Sequence, residues 1–109
     1  MAYDEGLAER LRLALSERKG LTEKRMFGGL AFMLHGNMCC GIVESELMLR
    51  VGPENYGVIL AKPHARQMDF TGRPMKGFVF ISEEGYEEDV QLKQWLDIAL
   101  TFVASLPPK

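Results

Sequence analysis

Between Lys24 and Val51 the chain reads KRMFGGLAFMLHGNMCCGIVESELMLRV. This stretch constrains the fold more than any other. Apolar runs of strand length are broken at Gly28-Gly29, Gly36-Asn37 and Ser45-Glu46. Glycine tolerates backbone angles that other residues avoid, so Gly28-Gly29 predicts a bulge or bend after a short strand over Lys24 to Phe27. Gly36-Asn37 is a two-residue hairpin signal between Leu30–Leu34 and Met38–Glu44. Ser45-Glu46 turns the chain into Leu47–Val51, where Leu47, Leu49 and Val51 share one face and Met48 and Arg50 the other. Connections this short join antiparallel strands, because a parallel crossover needs a dozen or more residues.

Helices are expected on either side of this block. Leu7, Leu11, Ala14 and Leu15 fall on one stripe at helical spacing, which predicts a first helix over Asp4 to Lys19 with Gly20 as its C-cap. Gly52-Pro53-Glu54-Asn55 reads as the start of a second helix that runs through Tyr56, Ile59 and Leu60 and stops before Pro63. Arg66 to Phe70 then alternates as a strand. Thr71 to Gly77 reads as a loop by its Gly and Pro content, and Phe78 to Ile81 as a short strand. A last helix spans Glu87 to Ser105 around Leu92, Trp95, Leu96, Ala99 and Val103. The order is α-β-β-β(-β)-α-β-β-α, an α+β two-layer domain with a mainly antiparallel sheet.

At 109 residues the chain suits one domain over residues 1–109. Its 47% apolar and 26% charged residues fall in the range of soluble globular proteins, so no disulfide or metal is needed to hold a core. A net charge of −2 argues against a large nucleic-acid footprint. The start lacks the apolar region of a signal peptide, and no apolar run approaches a membrane span. With only two cysteines, adjacent in sequence, the expected location is cytoplasmic.

Candidate chemistry is sparse. The glycines form neither a G-x-G-x-x-G nor a P-loop pattern, and no helix opens after them to receive a phosphate. Cys39 and Cys40, as strand neighbours, are expected to point to opposite faces and so not to share a metal. A buried cysteine behaves as a small hydrophobe, which makes core packing the simpler role. His35 flanks a turn and His64 follows a proline, so both are expected to face solvent. Glu83-Glu84 and Glu87-Glu88-Asp89 stand where a helix begins and suit its dipole. Lys24, Arg25, Arg50, Arg66, Arg73 and Lys76 could gather as a basic cluster. The plainer reading is that they are solvated or paired with the protein's own acids.

Taken together, Arg25-Met26-Phe27-Gly28-Gly29, Leu47–Val51, the segment MDFTGRPMKG from Met68 to Gly77, and Trp95 in a last helix resemble the TfoX (Sxy) N-terminal domain family. TfoX is a regulator of natural competence in bacteria. The resemblance covers nearly the whole chain. It implies a compact α+β domain without enzymatic activity, and no catalytic residues to carry over. The competence regulators have a second, C-terminal domain. This chain ends at Pro107-Pro108-Lys109, which implies a stand-alone member.

These readings converge on a non-catalytic regulatory or protein-interaction domain with no catalytic, cofactor-binding or metal-binding residues and no membrane association. Its expected partners are an unidentified protein and a second copy of itself, because strands apolar on both faces need covering on the side without helices. The expected interaction surface comprises Arg50, Arg66, Thr71, Arg73, Met75 and Lys76. Pro74 stiffens the backbone there, and Met75 offers an adaptable contact. The alternatives are a nucleic-acid-associated accessory protein using these cations and, more weakly, a thiol-dependent enzyme using Cys39 or Cys40.

Overall fold

The computed structural model describes residues 3–26, 28–70 and 73–108, with backbone alone for residues 26, 69, 70 and 73–76. Helix α1 spans Glu5–Ala14 and begins where expected, because Asp4 Oδ1 accepts from the Gly6 and Leu7 amides at 2.8 and 3.2 Å. It ends before Lys19, and Gly20 is not its cap. Gly20 has φ +79° and leads into β1 (Leu21–Met26), and its carbonyl accepts from the His35 amide at 2.9 Å. A side chain at Gly20 would fall 2.3 Å from His35 Nδ1, so the neighbouring hairpin turn requires glycine there.

Strands β2 (Gly29–Leu34), β3 (Asn37–Val43) and β4 (Glu46–Arg50) continue an antiparallel meander. Two turns sit one residue earlier than the sequence suggests. Leu34 pairs with Asn37, so His35 and Gly36 form the turn, with φ 51° and 85°. Two positive φ angles match the twist of the flanking strands. Asn37 is drawn inward instead: it is buried, and its Nδ2 donates to the Pro107 carbonyl at 2.9 Å. Val43 likewise pairs with Glu46, leaving Glu44, with φ 57°, and Ser45 in the turn.

Helix α2 is short, Tyr56–Leu60, and starts later than expected. Gly52 has φ +87° with the Phe102 ring packed against it, and Asn55 Nδ2 donates to the Val51 carbonyl at 3.3 Å. These contacts hold the intervening residues in turns. Strands β5 (Ala65–Phe70) and β6 (Arg73–Ile81) form a hairpin. The loop expected over Thr71 to Gly77 is therefore mostly strand, with Phe70 opposite Arg73 and Asp69 opposite Pro74. Pro74 is tolerated because β4 pairs with β6 only over Phe78 to Ile81, so no ladder bond from that side is lost. A 3-10 turn, Glu83–Gly85, precedes α3 (Asp89–Ala104).

The sheet order is β1-β2-β3-β4-β6-β5, antiparallel throughout. All three helices pack on one face. Leu11, Ile59, Leu96 and Val103 meet Phe32, Leu49 and Val79 in the main core. Burying each such side chain stabilises the fold by about 1.5–3 kcal/mol relative to exposure. Trp95 Nε1 donates to the Gly85 carbonyl at 2.9 Å and ties α3 to the 3-10 turn that follows β6. The opposite face has a core of its own: Ala31, Met48, Met68 and Phe80 are buried with Met33, Met38, Val43 and Phe78 packed around them. The strands' own long side chains thus supply part of the cover that this face needs. No helix among the described residues is long and apolar enough to cross a membrane.

Candidate interaction surface

The register of the sheet aligns one row of residues across the helix-free face. Lys24 pairs with Ala31, Ala31 with Gly41, Gly41 with Met48, Met48 with Phe80, and Phe80 with Arg66. The row runs through all six strands, apolar in the middle and basic at both ends. Paired residues point the same way, so the row is continuous on this face. Its middle is buried beneath half-buried Met33, Met38, Val43 and Phe78, and its two ends, Lys24 and Arg66, are exposed.

Of the expected surface residues, Arg66 ends this row and Arg50 lies beside it. The Arg66 guanidinium stacks on the Phe80 ring, 4.8 Å from its centroid, and pairs with Glu46 through both oxygens, Nε–Oε2 being 2.8 Å. Arg50 lies between two rings, 5.5 Å from Phe78 and 5.6 Å from Phe102. Both are held by the protein's own groups, which gives them fixed positions on either side of β6. Arg73, Met75 and Lys76 belong to β6, and the positions of their side chains lie outside the described residues, as does Thr71 altogether. Lys24 and Arg25, on the edge strand β1, are exposed and have no ion pair among the described residues. Sequence reasoning named them only as part of a basic cluster. Lys24 shares a row with Phe80 and Arg66 only through strand order, which spacing does not reveal, whereas Arg25, paired with Leu30, belongs to the helix-covered side.

The cysteines correct an expectation. Phe32 pairs with Cys40 but Met33 pairs with Met38, so Cys39 is an extra residue in a bulge. The bulge breaks the alternation, and Cys39 and Cys40 both enter the main core, fully buried. A hydrogen bond from Cys40, aided by Arg18 and Arg50, lowers the Cys39 pKa against the opposing effect of burial. The same hydrogen bond and burial push Cys40 well above the usual thiol range. His35 and His64 are exposed at turns with φ 51° and 72°. Among the described residues no three His, Cys, Asp or Glu side chains gather as a metal-holding group.

Residues 14–103 match the family model of the TfoX N-terminal domain. No curated protein matches the chain.

Proposed function

Because this chain belongs to the TfoX N-terminal domain family, we propose that it is a non-catalytic, cytoplasmic regulatory domain that binds another protein through the helix-free face of its sheet. The carrying observation is the row from Lys24 to Arg66. Half-buried Met33, Met38 and Phe78, packed around this row, supply adaptable apolar contact, and the cations at its ends suit a partner segment with an apolar centre and acidic flanks. The proposed surface extends over Arg50 and onto the β5–β6 hairpin, with Thr71, Arg73, Met75 and Lys76. The buried position of both thiols supports a binding role over thiol chemistry.

The test compares proteins captured from native cytoplasm by the wild-type chain, by Lys24→Glu, and by Arg73→Ala with Lys76→Ala. We expect a partner retained by wild type and lost from both variants at unchanged melting temperature. An identical captured set from all three chains overturns the reading. Salt-dependent binding of duplex DNA by wild type, lost in the same variants, would favour the nucleic-acid alternative instead.

A further inference from the structure

A second surface lies on the opposite side of the molecule. Helices α1 and α3 leave between them a groove of about 550 Å³, its floor lined by Leu92, Leu96 and Leu100. One end is tied shut: Arg10 donates to the Tyr86 carbonyl at 2.7 Å, to the Glu87 carbonyl at 3.2 Å and to Asp89 Oδ1 at 3.2 Å. The other end opens toward Glu17 and Arg18.

We propose that this groove receives a second copy of the chain in a two-fold dimer. The same patch carries both the cavity and what fills it. Leu13, on the α1 lip, is 76% exposed, and Val90, one helical turn before Lys93 on α3, is 65% exposed. They are two of the three large apolar side chains exposed among the described residues. The rim charges are self-complementary. The α1 side offers Glu17 and Arg18, and the α3 side offers Lys93 and Asp97. None of the four has an ion pair among the described residues. A rim of one sign would suit a charged ligand, whereas one charge of each sign on each lip suits its own two-fold mate. A two-fold axis sets the α1 lip of one copy on the α3 lip of the other. Glu17 then faces Lys93 of the second copy, Arg18 faces Asp97, and Leu13 enters the facing groove. Each contact occurs twice, which doubles the effect of any single change.

This surface is separate from the sheet face, so neither proposal depends on the other. Sedimentation velocity across the micromolar range tests it. We expect a concentration-dependent dimer that Leu13→Glu converts to a single chain. Glu17→Lys, which sets like charges together, weakens the dimer about tenfold or more. Glu17→Lys combined with Lys93→Glu restores it. All three positions are exposed, and unchanged circular dichroism spectra establish that the variants are folded. A mass of one chain at every concentration overturns the proposal. So does a dimer indifferent to Leu13→Glu, or a failure of the double exchange to restore what Glu17→Lys removed.

Discussion

The Met48 methyl group occupies the space that a side chain on Gly41 would need. A Cβ at Gly41 would lie 2.8 Å from that methyl and 2.5 Å from the Leu30 carbonyl oxygen. The methyl can swing away, but the carbonyl belongs to the β2–β3 ladder and cannot. Gly41→Ala is therefore expected to destabilise the fold by about 1–3 kcal/mol. Gly57, in α2, meets nothing within 4 Å and has no positive φ. Gly57→Ala is expected to stabilise by about 0.4–1 kcal/mol, through the unfolded chain. Urea denaturation of the two variants should shift the midpoint in opposite directions.

Tyr86 predicts a specific alkaline weakness. Burial, reinforced by the nearby Glu83 carboxylate, pushes its pKa up to about 12 from 10.0. Its hydroxyl donates to the Ser45 carbonyl and bridges the α3 approach to the β3–β4 turn. The folded state holds this proton more tightly than the unfolded chain. Below pH 10 both states are protonated, and the stabilisation is fully present. As pH rises through 10 to 12 the unfolded chain ionises first and the stabilisation is lost. Tyr86→Phe should lose about 1 kcal/mol at neutral pH with the missing hydrogen bond. Denaturation at stepped pH should then show a smaller decline above pH 10 than in wild type.

The cysteines are expected to act through packing. Cys40→Ser places a hydroxyl in an apolar core and should cost on the order of 1–3 kcal/mol, with Cys39→Ser in the same range. In the folded protein both thiols should resist Ellman's reagent, and both should react once urea unfolds the chain. Rapid labelling of native protein at neutral pH would contradict this account.

Asn37 fixes the end of the chain beyond α3. Asn37→Ala removes the donor to Pro107 and should cost about 1 kcal/mol. Hydrogen exchange should quicken in the last turn of α3 more than in β1, since the lost contact lies at that end. Uniform protection across α3 would count against the assignment.

Much of the fold is legible because it follows simple periods. Leu47, Leu49 and Val51 alternate with Met48 and Arg50 as read, and the stripe of α3 packs as read. The misses have local causes. A strand period assumes regular pairing, so the bulge at Cys39 is invisible to it. Gly36-Asn37 looks like a turn by residue type, but the pull of Pro107 on Asn37 is a contact across the whole chain. Pro74 and Gly77 give β6 the composition of a loop, although β5 pairs with it as far as Arg73. Of the proposed surface, the sequence offers Arg50, Arg66, Thr71, Arg73, Met75 and Lys76 by residue type and loop composition alone. Lys24 joins them only through the order of the strands, and the α1–α3 groove had no signal beyond the apolar Leu13.

The strand order also sets how the chain must assemble in time. From β1 through β4 each strand pairs with the next, and β5 pairs with β6, so these two pieces can form from local encounters. Only the β4–β6 pairing, from Arg50 opposite Phe78 to Leu47 opposite Ile81, joins partners far apart in the chain. It must close the loop that contains α2 and β5 before its contacts return any energy. We expect closure of that seam to limit the rate of folding. Changes at Leu49 or Val79 should slow refolding, whereas changes near the His35-Gly36 turn should chiefly hasten unfolding.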